Sequence, residues 1–153
     1  MPEKKTLRRA REDKREGKSP STQAGEFVRE EIEHVREGKH GARSTRQAIA
    51  IGLSKARRAG VDLPPPEEGE APRKTVKRAR RDLARGKARK RGSKTSTSRK
   101  RSRATKRALK REGHSAASKK ALSKQARTAA RKRTARSRSA SAKKAARTRK
   151  RKR

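Results

Sequence analysis

The chain has 153 residues, 53 of them Lys or Arg and 15 Asp or Glu, for a formal net charge of +38. Hydrophobic residues make up 25% and Phe27 is the single Phe, Tyr or Trp, which is too little burial to order an ordinary domain of this length against its backbone entropy. Cysteine is absent, which removes disulfide scaffolds, thiolate nucleophiles and Cys-type zinc sites.

No apolar run approaches the roughly 20 residues of a membrane span. The opening "MPEKKTLRRAREDKREGK" lacks a secretory h-region, and its acids are unlike those of a transit peptide. A soluble intracellular protein is therefore expected. The charge is divided unevenly. Residues 1–70 carry 16 basic and 13 acidic side chains, a net of +3; the remaining 83 carry 37 and two, a net of +35. A nearly balanced head precedes a polycationic tail, and such tails grip polyanions.

In chain order, residues 1–22 read as a mixed-charge arm, partly helical, with no apolar stripe and no reason to pack. "SPST" at 19–22 is a turn and helix-start cluster. From 24 to 37, Val28, Ile32 and Val35 fall at i, i+4, i+7 with Phe27 beside them, the pattern of a helix face. "GKHGAR" at 38–43 breaks that helix. In the second one Ser44 is the N-cap and Gln47 completes a capping-box pattern. Ile49, Leu53 and Ala56 share a face flanked by Ala48, Ile51 and Ala59, and Gly60 stands at the left-handed C′ position with Val61 after it. Residues 23–62 thus read as an antiparallel helical hairpin whose small core invites a second copy or a protein partner. "LPPPEEGEAP" at 63–72 is a semi-rigid linker.

The tail, 73–153, is expected to be largely disordered with helix-prone segments. "SRATKRALKR" (102–111) and "SAASKKALSK" (115–124) repeat at an offset of 13, and "TAARKRTARS" from Thr128 is a degraded third copy. The repeats place Ala104/Ala108 and Ala117/Ala121 on narrow stripes, with Ser115 as a candidate N-cap. Neutralisation by a polyanion should draw these segments into helix. "RGSKTSTSRKRSR" and "RTRKRKR" lack the stripe and are expected to be coil.

The chemistry pointed to is phosphate neutralisation, salt-sensitive and indifferent to sequence. Lys106, Arg107, Lys110, Arg111, Lys119, Lys120, Lys124, Arg127, Arg131, Lys132 and Arg133 are the candidate nucleic-acid-binding residues, acting collectively. The tail has no aromatic for base stacking. A helix-turn-helix reading would make 44–60 the recognition helix, with Arg46, Lys55, Arg57 and Arg58 outward. Against it, Glu26, Glu30, Glu31, Glu33 and Glu37 on the first helix would repel phosphate. His34, His40 and His114 read as isolated, so no metal site is expected; no catalytic or cofactor motif occurs either. Serines in "RKRSR" and "RSRSAS" match basophilic phosphorylation patterns.

The stretch "GEFVREEIEHVREGKHGARSTRQAIAIGLSKARRAGV" (25–61) resembles an uncharacterised family of small basic bacterial proteins. Its "SxxQAIAIGLSxAR" helix is matched by Ser44, 47–54, Ala56 and Arg57, and its "REGK" turn by 36–39. The resemblance implies a bacterial or bacteriophage source and transfers no site residues. The tail is similar in composition to bacterial histone-like, linker-histone-type proteins, although richer in Arg and Ser.

The fold expected is all-α and small, a helical hairpin followed by a basic tail. The function expected is non-enzymatic, nonspecific nucleic-acid binding and compaction at the nucleoid, DNA before RNA, with no membrane or small-molecule partner. The alternative is a head that docks a protein, tethered to RNA or ribosomes by the tail.

Overall fold

The computed structural model describes residues 2–67, 69–90 and 99–151 as a small all-helical protein. Helix α1 spans Lys4–Arg15, α2 Pro20–Arg36, α3 Thr45–Arg58, α4 Arg73–Lys90 and α5 Arg99–Lys110. A 3₁₀ turn at Ser115–Ala117 is followed by α6, Lys119–Lys132, and α7, Ala135–Arg151. Two compact units result, Met1–Ser118 and Lys119–Arg153.

Local sequence accounts for the helix ends of the head. Ser19 caps α2 by accepting from the Thr22 amide, with Pro20 at the first helical position, where its missing N–H costs nothing. Ser44 caps α3 by accepting from the Gln47 amide at 3.2 Å, while the Gln47 side chain accepts the Arg43 amide at 2.8 Å. After α3, Gly60 sits at φ +96 and the Val61 amide bonds the Ala56 carbonyl at 3.1 Å, the Schellman closure expected of this sequence. Gly17 after α1 and Gly38 after α2 make the same turn.

The hairpin forms as expected, and α3 packs on α2. Ala24, Phe27, Ile32 and Val35 of α2 are buried. On α3 the buried line differs from the anticipated one. It runs through Thr45, Ala48, Gly52 and Ala56, with Ile49 and Leu53 only half-buried beside it. Gly52 explains the shift: a Cβ there would lie 2.7 Å from the Val28 Cα, so the two helices cross too closely for larger residues in the seam.

Two neighbours then cover the hairpin. The arm was expected to have no reason to pack, yet α1 lies against α2, with Ala10 in the core beside Phe27, Ala56 and Val61 and with Leu7 against it. Two apolar residues one turn apart suffice there, because Phe27, the largest of the fully buried side chains, belongs to the same cluster. Helix α4 packs on α3 through Val76, Ala79, Leu83 and Gly86, at i, i+3, i+7, i+10. A Cβ on Gly86 would stand 2.0 Å from the Arg57 carbonyl oxygen. Asp82 accepts from the Ser54 hydroxyl at 2.5 Å and pairs with Arg58 at 3.8 Å, fastening the same seam.

Further along, the amides of Gly41 and Ala42 donate to the carbonyls of Leu109 and Gly113 at 2.9 and 3.0 Å. Arg36 Nε and the Thr45 hydroxyl donate to the carbonyls of Ala117 and Ala116. Both alanines are buried. The second tail repeat is therefore split: Ala117 belongs to the docked 3₁₀ turn and Ala121 to α6, so they form no common stripe, and α6 begins after Ser118 rather than being capped by Ser115. Of the segments expected as coil, 99–103 and 147–151 are helical, because Arg and Lys are good helix formers; 91–98 and 152–153 lie outside the described residues. In the second unit α6 buries none of its residues, and the Thr134 hydroxyl accepts the Ser137 amide to start α7.

Candidate nucleic-acid interface

All eleven tail cations singled out in the sequence are exposed. Lys106, Arg107 and Lys110 lie on α5, and Arg111 in the turn after it. With Arg103, which sequence reasoning passed over, the three on α5 occupy i, i+3, i+4 and i+7 of one face. On α6, Lys120, Lys124, Arg127 and Arg131 stand at i, i+4, i+7 and i+11, one straight stripe, while Lys119 and Lys132 flank it on either side. At 1.5 Å per residue the stripe is about 16 Å long, the rise over which one DNA strand presents about five phosphates. Arg133 follows α6 and turns its guanidinium toward the side chains of Ser137 and Ser141, so part of its donor capacity is spent locally.

Two more basic faces went unread. Helix α4 carries Lys74, Lys77, Arg78, Arg81 and Arg85 at i, i+3, i+4, i+7 and i+11, directly opposite the Val76–Ala79–Leu83 line that docks it. On α7, Arg136, Lys143, Arg147 and Lys150 share a face. The signal for α4 was present in its apolar spacing, but the surrounding charge concealed it.

The geometry adds to the case against a recognition helix at 44–60. Arg57 is buried; its Nε and Nη2 donate to the carbonyls of Leu63 and Pro64 at 3.1 and 3.0 Å, tying down the proline run. Burial pushes its pKa below the usual arginine value, with Asp82 acting the other way. Lys55 turns inward, its Nζ 2.6 Å from Glu31 and 3.4 Å from Glu30. Only Arg46 and Arg58 of the proposed four remain exposed.

The acids of α2 are also not a simple repulsive surface. Glu30 and Glu31 are 3% and 0% exposed. Burial weighs most against ionisation of Glu30. The Thr6 hydroxyl, the Glu3 amide and Lys55 together outweigh it, holding the Glu30 carboxyl below its ordinary range. The histidines are not all isolated either. His34 and His40 meet edge to face with ring centroids 6.1 Å apart, and His34 Nε2 lies 2.9 Å from Glu3 Oε1.

The stretch running from late in α1 through α2 and α3 to the prolines now has a structural identity as a capped, glycine-seamed hairpin. Residues 13–67 match a family of unknown function, DUF6496. The resemblance to an uncharacterised family is thus borne out over just over a third of the chain. No curated protein and no solved structure matches this chain. Among the described residues no helix is long and apolar enough to cross a membrane.

Proposed function

We propose that this protein binds and compacts nucleic acid without sequence preference, DNA before RNA, as a non-enzymatic, nucleoid-associated protein. The observation that carries this reading is the α6 stripe. Four exposed cations stand in register on a helix that has no acid among its residues and buries none of them. Each phosphate contact releases condensed counterions, which supplies affinity without reading a base. The α4 and α5 faces add nine cations on the head unit. The head's role in this reading is structural: it fixes α4 with its basic face outward.

The disorder expected of the free tail belongs here too. With no buried residue to hold it, α6 is a helix whose charges repel until a polyanion neutralises them, so helix formation and binding are coupled. The test is retention of full-length protein on several unrelated DNA duplexes and on RNA at about 0.1–0.15 M salt, where nonspecific binding persists. Comparable retention on all duplexes is expected. Failure to retain any, or strong preference for one sequence, refutes the proposal.

A further inference from the structure

The Glu31, His34 and His40 side chains converge between α2 and the loop that follows it, each offering a donor atom within 4.8 Å of the others. Glu31 is 0% exposed, and neither of its oxygens accepts a hydrogen bond of good geometry. Its neighbours are charges: Lys55 Nζ at 2.6 Å from Oε2, poorly aligned for a bond, and His40 Nε2 at 3.3 Å from Oε1. A carboxylate taken fully out of water without hydrogen bonds is costly, and it calls for a stronger cation than one misaligned ammonium.

The histidines are oriented for that cation. His40 Nδ1 is 3.0 Å from the Gly41 carbonyl oxygen, and a carbonyl can only accept. The Nδ1 therefore carries a proton, and in the neutral ring the Nε2 lone pair faces Glu31, the second-shell arrangement that metal-bound imidazoles use. His34 projects from α2 three residues after Glu31, one turn along the same face. Its Nε2 lies 2.9 Å from Glu3 Oε1, which puts a fourth candidate donor group beside the cluster.

Charge points the same way. The ion-paired network of Glu3, Glu30, Glu31 and Glu37 with Lys39 and Lys55 sums to −2 in a chain of net charge +38. A divalent ion makes that pocket neutral. Zn–N and Zn–O bonds of about 2.0–2.2 Å in a tetrahedron set neighbouring donors about 3.3–3.6 Å apart. The His40–Glu31 pair already stands at 3.3 Å, and a His34 nitrogen lies within 4.8 Å of both. Two imidazoles with carboxylate oxygens suit zinc among the first-row ions.

We propose that Glu31, His34 and His40, with Glu3 as the fourth donor, form a structural binding site for a zinc-type divalent cation. The ion would cross-link α2, the segment before α1 and the 38–43 loop. That loop's Gly41 and Ala42 amides hold the 109–113 segment, so the metal braces the contact that docks the C-terminal end of α5 onto the head. This site is independent of the nucleic-acid reading and stands or falls separately.

The test uses untagged full-length protein, freed of nucleic acid by nuclease and high salt, stripped with chelator and titrated with Zn²⁺. One equivalent should bind. His34→Ala and His40→Ala should each weaken binding at least tenfold, and His114→Ala should leave it unchanged. Co²⁺ should give the intense visible bands of a tetrahedral site. Absence of stoichiometric binding, or equal loss in His114→Ala, overturns the proposal. Should the His34 or His40 variants lose helicity, the wild-type histidine NMR signals decide. Zn²⁺ should shift those of His34 and His40 and slow Gly41 and Ala42 amide exchange; no shift, or a shift of His114 alone, overturns it.

Discussion

Gly52 and Gly25 separate two roles of glycine in the same hairpin. Helix propensity alone favours alanine over glycine by about 1 kcal/mol at either site. At Gly25 a Cβ meets nothing within 4 Å, so Gly25→Ala should stabilise the protein by up to about 1 kcal/mol. At Gly52 the Cβ meets Val28 backbone at 2.7 Å, and overpacking of about 1–3 kcal/mol outweighs the propensity gain. Gly52→Ala should lower Tm and Gly25→Ala should raise it; thermal melts followed by circular dichroism check both signs. The capping roles of Ser44, Gln47 and Gly60 were legible in the sequence because they depend on neighbours a few residues away. Gly52 as a seam and Arg57 as a buried clamp on Leu63 and Pro64 were not, because both depend on what another segment brings close. The same holds for Glu30 and Glu31, whose burial follows from the placement of Thr6, Lys55 and His40 around them.

At the scale of elements, α4 shows how a dominant charge hides an amphipathic helix. Its apolar line of Val76, Ala79 and Leu83 is short, and five cations occupy the opposite face. Asp82 is one of only two acids after residue 70, and its place in the α3–α4 seam explains why an acid stands there at all. Asp82→Ala removes a charged hydrogen-bond acceptor from Ser54 and should destabilise the docked helix by about 1.5–3 kcal/mol. Amide exchange in 73–88 should speed up selectively while that in α2 stays protected. Uniform acceleration across both would mean that α4 is not a separable packing element. The other acid, Glu112, lies where its carbonyl oxygen is 1.8 Å from a hypothetical Gly41 Cβ, so Gly41 is required for the tail segment to dock. Nothing in the 13-residue repeat announced that contact, since similarity between copies does not say which copy meets the head.

For α6 and α7 the balance differs. Good helix formers supply propensity, but α6 buries no residue and its stripe is self-repelling. Circular dichroism of full-length protein should therefore gain helicity when DNA is added at low salt. The gain should saturate once the tail cations are neutralised and should vanish when high salt dissociates the complex.

At the scale of the whole molecule, composition already set the electrostatic character, and the structure arranges it. A head of net +3 over residues 1–70 buries Glu30 and Glu31 and ion-pairs several of its other acids, while many of the cations after residue 70 line helix faces. Placement in register is what distinguishes this chain from a formless polycation of equal charge. Lys120, Lys124, Arg127 and Arg131 should then contribute more per residue than Lys119 and Lys132, which flank the stripe. The most direct measurement is the salt dependence of DNA affinity for the full chain and for a variant with those four stripe residues changed to Gln. Each phosphate contact contributes about −0.9 to the slope of log K against log salt concentration. The four-residue variant should be shallower by about 3–4, and Lys119→Gln with Lys132→Gln should change the slope by less than about 1. Equal slopes for the wild type and the four-residue variant would contradict the account.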